Sequence, residues 1–272
     1  MTALADREWR LIPEGARPGP MQMALEEVAA ETAANGGPRT VRVYQWEPST
    51  LSLGYRQDPE SVDWAYCEAE SVTVTRRPTG GGGIYHDADG DISYSIVAPQ
   101  SELPGDLMAC YELLCTPVLD AFARMGVGAA FADEELPAVH EPACYLRGIH
   151  PAHDVLAGGE KISGNAQYRQ REAVIQHGSL SYALAVEQHL GVFDTDEVPE
   201  STFRERVTSI REQSGIDREA AVDALEGALA EFVDAGRGAW TDEELERARE
   251  IADRKYGTDA WTRDREDPLS VS

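Results

Sequence analysis

Lysine is the scarcest charged residue of this chain, since only Lys161 and Lys255 are lysines among its 24 basic residues. Cysteine is also scarce, with four residues in 272, which excludes a disulfide-rich scaffold in a chain long enough to bury a substantial core. No apolar run is long enough to span a bilayer, and no basic-then-apolar start indicates a secretion signal. We therefore expect a cytoplasmic protein that has no membrane partner.

The charge balance is strongly acidic, with 49 acidic against 24 basic residues and a formal net charge of -25. Such a charge indicates a strongly hydrated surface suited to high salt, from which we infer a halophilic cytoplasm. It disfavours nucleic acid as a partner, because the surrounding field opposes each phosphate contact. An acidic enzyme from an ordinary cytoplasm remains the alternative.

The most informative segment is Arg76–Asp87, which reads RRPTGGGGIYHD. Because glycine has no Cβ, the consecutive N–H groups of Gly80–Gly83 can line a concave anion site, and the two guanidinium groups can add charge-assisted hydrogen bonds. The segment is neither a P-loop nor a dinucleotide fingerprint, since no Lys-Ser/Thr follows the glycines and Ile84–His86 continues as a strand. A glycine-rich hairpin turn is the alternative interpretation.

A second segment, Asp154–Gln167, is typical of a hairpin that presents Lys161 beside Gly164. Arginine replaces lysine almost everywhere else, so a lysine here indicates that a compact ammonium group is needed rather than a planar fork. Lys255 lies in an Arg/Glu-rich segment, where we predict a solvated charge at a helix end.

The predicted elements alternate between helices and strands, with no internal repeat or low-complexity linker. Residues Glu134–Gly148 are predicted to form a loop that covers the site. A capping box of Thr241 and Glu244 opens the last predicted helix. Apolar spacing predicts helices over Met21–Ala33, Met108–Met125, Asp217–Ala235 and Thr241–Tyr256, and strands over Val41–Trp46, Val72–Arg76, Ile92–Val97, Asp154–Ala157 and Val174–Tyr182.

These motifs resemble, in order, those of the lipoate-protein ligase and octanoyltransferase superfamily, whose catalytic domain is related to biotin-protein ligases. Arg76–Asp87 is similar to the motif Arg-Arg-x-Ser/Thr-Gly-Gly-Gly-x-x-x-His-Asp, Lys161–Ala166 to Lys-x-x-Gly-x-Ala, and Gln176–Leu180 to a His-Gly strand. The resemblance implies an α+β fold of mixed, mainly antiparallel sheets flanked by helices. It also implies a single cofactor-transferase domain over 1–272, helical from about 190, without an accessory C-terminal domain.

The resemblance further implies site roles. In that family the glycine loop holds the acyl group and the adenylate phosphate, and the motif lysine, here Lys161, contacts the acyl carbonyl and phosphate as the catalytic charge. Asp154 is expected to help hold Mg²⁺, with Asp87 as a competitor. The implied substrate- and nucleotide-binding residues are Arg76, Arg77, Gly80, Gly81, Gly82, Gly83, Ile84, His86, Asp87, Asp154, Gly164, Asn165, Ala166, His177 and Gly178.

The histidines allow simpler interpretations. His86 and His177 could equally be interior strand histidines held by hydrogen bonds. His140, His150 and His153 cluster near Cys144 in the sequence, but their spacing matches no recognised zinc pattern.

The favoured function is a ligase that makes lipoyl-AMP from lipoate and ATP with Mg²⁺. It would transfer lipoyl to a lysine of a lipoyl domain, either of a 2-oxoacid dehydrogenase E2 or of a glycine-cleavage H protein. Lys161 would stabilise the charge that develops in both steps. Two-domain ligases continue beyond the point matching Trp261, so a separate small accessory ligase subunit is an expected partner.

Two alternatives stay open. An octanoyltransferase would move octanoyl from acyl carrier protein through a Cys144 thioester, without ATP. One transferase branch keeps its nucleophile upstream of the lysine hairpin, although at slightly shorter spacing, and it interrupts the glycine run with arginine. The unbroken Gly80–Gly83 therefore favours the ligase. A non-catalytic acyl-binding protein is the third hypothesis, against which Lys161 beside an intact glycine loop argues.

Overall fold

The computed structural model describes residues 3–151, 153–170, 172–194 and 198–269. Over these residues the chain folds around two β-sheets with helices on their faces. The strands are β1 (Trp9–Ile12), β2 (Ala16–Arg17), β3 (Arg39–Trp46), β4 (Thr50–Leu53), β5 (Thr73–Arg76), β6 (Ile84–His86), β7 (Asp91–Pro99), β8 (Ala129–Phe131), β9 (Asp154–Ala157), β10 (Glu160–Gln170), β11 (Ala173–Ser181) and β12 (Gly236–Arg237). The helices are α1 (Gly19–Ala34), α2 (Trp64–Ala69), α3 (Leu107–Arg124), α4 (Val186–Gly191), α5 (Glu200–Arg204), α6 (Ile210–Ser214), α7 (Arg218–Val233), α8 (Asp242–Ile251) and α9 (Asp259–Thr262).

The larger sheet has the order β12-β1-β3-β7-β11-β10-β9-β8, with β2 paired to β3 outside this path. Its central strands, from β3 to β9, pair antiparallel, whereas β1 pairs parallel with both β3 and β12. The smaller sheet has the order β5-β4-β6. The predicted α+β architecture of mixed, mainly antiparallel sheets is thereby confirmed.

Apolar side chains form separate cores on the two faces of the larger sheet. Helices α3 and α7 pack together on one face, where Leu114, Phe122, Leu225 and Leu229 are fully buried against the strands. Helix α1 packs on the opposite face and is covered by α8. The smaller sheet packs against the loop before β9 and against α4 and α5. The two sheets therefore meet beside the glycine loop that joins β5 to β6.

The local predictions agree closely with these elements. Strand β9 has the predicted bounds, and the other predicted helices and strands are present with ends shifted by a few residues. The Thr241–Glu244 capping box forms at the start of α8. Beyond residue 198 the elements of the described chain are helices and helical turns, apart from β12. Residues 195–197 and 270–272 of the predicted helical portion lie outside the described residues.

The prediction of a solvated Lys255 was wrong. The last turn after α8, Ala252–Tyr256, is π-helical, and the Lys255 side chain is only 4% exposed. Its Nζ donates to Glu27 Oε1 at 2.7 Å and lies 2.9 Å from Asp267 Oδ2. The pairing joins α1 to the segment after α9, so two carboxylates neutralise the buried amine.

None of the helices in the described part of the chain is long and apolar enough to cross a membrane.

Candidate active site

A cavity of about 330 Å³ lies between the two sheets, beside the glycine loop. The loop over 134–148 closes one side of it, as predicted, through Cys144, Arg147 and Gly148. Most of the predicted site residues line this cavity: Arg77, Gly80, Gly81, Ile84, His86, Cys144, Asp154, Lys161, Gly164, Asn165, Ala166, His177 and Gly178. The motifs that are separate in sequence therefore converge on one pocket.

Strand pairing explains this convergence. Asp154, Gly164, Ser179, Ser93 and Tyr44 are register partners across β9, β10, β11, β7 and β3. All five line the cavity, so one registered row of the larger sheet forms its floor. Alternate residues of a strand face the same side, which places the lysine hairpin and the His-Gly strand on one surface.

Lys161 is the buried cation of this pocket. Its Nζ lies 2.8 Å from Asp154 Oδ1 and donates to the Cys144 carbonyl oxygen at 3.1 Å. Burial lowers the pKa of Lys161. The nearby Cys144 and Asp154 together raise it by more than burial lowers it, so the pKa lies above its ordinary value. Lysine carries three N–H donors, so one remains for a ligand oxygen.

Asp154 is the counter-charge of Lys161. Burial raises the pKa of its carboxyl, but hydrogen bonds from His153 and the charge of Lys161 outweigh this and lower the pKa to about 2. Its Oδ2 also accepts the His150 backbone N–H at 2.8 Å. Both carboxylate oxygens therefore already have cationic or N–H partners.

The donor set does not fit a magnesium ion held by protein side chains. Within the described ranges, no group of three His, Cys, Asp or Glu residues could hold a metal. Asp154 is paired with Lys161. Asp87, the other carboxylate considered for Mg²⁺, accepts hydrogen bonds from the N–H groups of Asp89 and Gly90 in a turn and does not line the cavity. A dedicated Mg²⁺ site would need further oxygen ligands.

The side chains of the two arginines in the glycine motif lie in different places, and only that of Arg77 lines the cavity. Successive strand residues face opposite sides, and the Arg76 guanidinium is buried away from the cavity, where it donates to the carbonyl oxygens of Gly54, Tyr55, Gln57 and Thr262. Arg76, which the resemblance predicted to bind the ligand, therefore does not line the cavity. Its bonds instead fasten the end of the chain to the loop after β4.

Arg77 does reach the pocket, and it also holds the glycine loop in shape. Its guanidinium donates to the carbonyl oxygens of Ser52 (2.7 Å), Gly80 (2.8 Å) and Gly82 (2.7 Å). Burial lowers its pKa, which the nearby Cys144 partly offsets. No carboxylate of the described residues forms an ion pair with it, and its N–H groups instead donate to oxygens of Ser52, Thr79, Gly80 and Gly82.

Gly82 and Gly83 contact the loop that carries Cys144 rather than the cavity, which corrects their predicted ligand role. Gly83 N–H donates to Pro142 O at 2.7 Å, and Cys144 N–H donates to Gly83 O at 2.8 Å. A Cβ on Gly82 would lie 2.9 Å from Cys144 N, closer than real Cβ atoms approach. Gly82 is therefore required for the close approach of two backbones, whereas a Cβ on Gly83 would collide with the Phe193 ring.

Cys144 starts a short 3₁₀ turn and is partly exposed in the cavity, whereas Cys67, Cys110 and Cys115 are buried. Burial raises the pKa of Cys115 to about 12 and that of Cys67 to about 11. Cys144 is therefore the one of the four cysteines that combines access to the cavity with the neighbouring charges of Arg77 and Lys161.

His177 is a hydrogen-bonded interior histidine. Its Nδ1 lies 2.9 Å from Glu26 Oε2, and its Nε2 lies 3.1 Å from Thr79 Oγ1 in the glycine motif. Burial raises the pKa of Glu26, but His177 and Arg42 outweigh this and lower it to about 2. Glu26 was missed from the sequence, although a carboxylate on an otherwise apolar helix face was a signal that could have found it.

His86 is bonded in the same way. Its Nε2 lies 2.9 Å from Ser52 Oγ, its Nδ1 pairs with Asp91, and its ring stacks on Trp46 with centroids 4.0 Å apart. Burial lowers the pKa of His86 because the interior disfavours the charged imidazolium. Ser52 and Asp91 were also missed, because the sequence analysis gave neither residue a role in the site.

The family model of the lipoyl protein ligase A/B catalytic domain matches residues 18–232. Octanoyltransferase LipM of Kyrpidia tusciae is 33% identical, over 93% of this chain and 97% of that protein. The structure of protein Ta0514 of T. acidophilum, a proposed lipoate protein ligase with bound lipoic acid, is 25% identical with a TM-score of 0.76, over 94% of this chain and 99% of that one. Lipoate-protein ligase A bound with ATP is 24% identical with a TM-score of 0.78, over 94% and 98%. The two solved structures thus share the fold described above, and the transferase is similar to this chain in sequence.

Proposed function

The chain belongs to the lipoyl protein ligase A/B catalytic domain family of enzymes, and on this premise we propose that it is an octanoyltransferase. It moves an octanoyl group from acyl carrier protein to a lysine of a lipoyl domain, through a thioester on Cys144. This reverses the preference for a ligase that the unbroken glycine run suggested. The relative with the higher sequence identity is the transferase, and it matches this chain over almost its full length.

The observation that carries the proposal is the position of Cys144. The Gly83 backbone holds its turn against the glycine loop, and Lys161 donates to its carbonyl oxygen at 3.1 Å. Cys144 lines the cavity together with the buried cations Arg77 and Lys161. A thiolate there would compensate the Arg77 charge, which is the environment that a nucleophilic cysteine requires.

The chemistry then follows in two balanced steps. The Cys144 thiolate attacks the octanoyl thioester carbonyl, a new C–S bond forms, and the carrier-protein thiolate leaves. The neutral amine of the acceptor lysine next attacks the octanoyl-Cys144 carbonyl, forms the amide and expels the Cys144 thiolate, which takes up the amine proton. The third N–H of Lys161 can stabilise the oxyanion in both steps.

The ligase remains the second candidate, and the intact Gly80–Gly83 run favours it. Under that hypothesis the substrates are lipoate and ATP, and a separate accessory subunit is expected. The site offers less support for it, because Asp154 is paired with Lys161 and no side-chain cluster among the described residues fits Mg²⁺. In both cases the proposed acceptor is a lipoyl domain, either of a 2-oxoacid dehydrogenase E2 or of a glycine-cleavage H protein.

The test supplies octanoyl-acyl carrier protein without ATP and measures both the enzyme and a lipoyl domain by mass spectrometry. We expect an octanoyl adduct on Cys144 and octanoylation of the acceptor. Cys144→Ser should abolish both, because a hydroxyl is a far weaker nucleophile than a thiolate at neutral pH. The matched control is Cys67→Ala, a buried cysteine outside the cavity, which should retain transfer.

Other results would overturn the proposal. Lipoyl transfer that needs lipoate and ATP and survives Cys144→Ser would identify a ligase. Binding of octanoate without transfer from either donor would identify a non-catalytic acyl-binding protein.

A further inference from the structure

One end of the cavity is closed. Its lining residues Met23, Tyr44, Trp46 and Ser93 are each at most 3% exposed, whereas Gly80, Gly81 and Gly148 are exposed at other parts of the rim. The closed end lies where α1 covers β3. A ligand whose head is at Lys161 therefore extends its tail toward Met23 and Trp46.

The sheet gives the length of that path. Lys161 Nζ lies above Gly164, since a Cβ placed on Gly164 would be 3.7 Å from it. From Gly164 on β10 to Tyr44 on β3 the registered row crosses three strand intervals, about 14 Å at the usual spacing of about 4.8 Å. An extended octanoyl chain spans about 9 Å, from seven zigzag C–C bonds of about 1.5 Å each. Its methyl end therefore stops about one strand interval short of β3.

The polar side chains along this path need no polar ligand. Ser93 Oγ accepts from Trp46 Nε1 at 2.9 Å, Ser179 Oγ donates to Asp91 at 2.7 Å, and Tyr44 OH donates to Glu26 at 3.2 Å. These hydroxyl and indole groups already have partners, so the closed end can receive a saturated chain without leaving a buried polar group unpaired.

Trp46 and Met23 differ in how they can respond to a ligand. The indole of Trp46 is fixed by its hydrogen bond to Ser93 and by stacking on His86. Met23 is an unbranched thioether on α1, and such side chains fill irregular gaps in cores. Shortening Met23 is therefore the change that lengthens the cavity without breaking a polar network.

We infer that Met23 sets the length of the acyl chain that the pocket accepts, an inference that rests on the proposed acyl-transfer function. Met23→Ala removes three heavy atoms from the closed end and makes room for at least two more methylene groups. Each buried methylene changes affinity about fourfold, so the preference for decanoyl over octanoyl should rise about fifteenfold. Met23→Phe should shift the preference toward hexanoyl.

The same helix provides a matched control. Met21 is also a buried methionine on α1, at 9% exposure, but it lies beside Arg249 and Ala252 on the side of α8 and does not line the cavity. Met21→Ala should leave the ratio of decanoyl to octanoyl transfer unchanged. Thermal melts check that each variant folds, and Met23→Val should give a smaller shift in the same direction if Met23→Ala does not fold.

The experiment compares kcat/KM for hexanoyl, octanoyl, decanoyl and dodecanoyl carrier protein with a lipoyl-domain acceptor. A second readout measures the affinity of free fatty acids of the same lengths for Cys144→Ala protein, with and without Met23→Ala. If wild type transfers nothing from carrier protein, the proposed function fails, yet the binding series still tests Met23. An unchanged length preference in the folded Met23 variants would overturn the inference.

Discussion

Replacing Lys161 with methionine is the sharpest test of the proposed chemistry. The substitution keeps most of the volume of the side chain but removes the ammonium group that lies 2.8 Å from Asp154 and 3.1 Å from the Cys144 carbonyl oxygen. It therefore removes the one N–H that is available to the acyl oxygen. Loss of a single oxyanion donor costs about a hundredfold to a thousandfold in kcat, or about 2.7 to 4 kcal/mol.

The same substitution also affects stability, because Asp154 is left buried without its cation. Removing one member of a buried ion pair costs about 3 to 5 kcal/mol. The double variant Lys161→Met/Asp154→Asn removes the stranded carboxylate and should recover much of this stability. It should not recover activity, which separates the catalytic role of Lys161 from its structural one.

The chain's other lysine provides the control. Lys255 is 4% exposed and pairs with Glu27 and Asp267, and none of these three residues lines the cavity, so Lys255→Met should lower the free energy of unfolding and leave kcat/KM of the folded enzyme unchanged. The assay combines chemical unfolding with octanoyl transfer measured per folded molecule. Lys161→Arg should fail almost as badly as Lys161→Met, since a planar fork does not fit a site shaped for an ammonium group. Transfer by Lys161→Met within threefold of wild type would refute the assigned role.

Two further predictions concern stability. The Glu26 carboxyl has its pKa lowered from 4.5 to about 2, so the stability it contributes is fully present above pH 4.5 and is lost as the pH falls to about 2, on the order of 3 kcal/mol. Urea unfolding between pH 2 and 5 should show this slope in wild type and a weaker one in Glu26→Gln, and equal slopes would contradict the assignment. The net charge of -25 predicts that the protein loses structure in dilute buffer and regains it in concentrated salt, when the Debye length falls to about 3 Å at 1 M. Circular dichroism against salt checks this, and a stable, active enzyme in dilute buffer would contradict the inference of a halophilic protein.

The family, the fold class and most of the pocket were predictable because they depend on local patterns. Apolar periodicity marks helices such as α3, and glycine with flanking polar residues marks the tight loops at Gly80–Gly83 and beside Lys161. Each of these signals lies within a few residues of the position it determines. The order of the motifs along the chain then indicates which of them the fold brings together.

Side-chain direction and pairing needed the tertiary structure. Arg76 and Arg77 are neighbours of equal charge, and only the packing of the end of the chain against β5 decides that Arg76 faces away from the cavity. Glu26 and Met23 were given no role from the sequence, because their importance comes from α1 lying over β3 and the His177 strand. Lys255 can be buried because it pairs with Glu27, and these two residues are 228 positions apart in the sequence and meet only in the folded chain.

Short-range preferences of the backbone thus determined the elements and the loops of this protein from its sequence. The sites of charge burial, the closed end of the pocket and the approach of Cys144 to Lys161 depend on contacts between distant segments. The free energies of such contacts are set by local dielectric and by the geometry of their partners. Only the folded chain provides these two quantities.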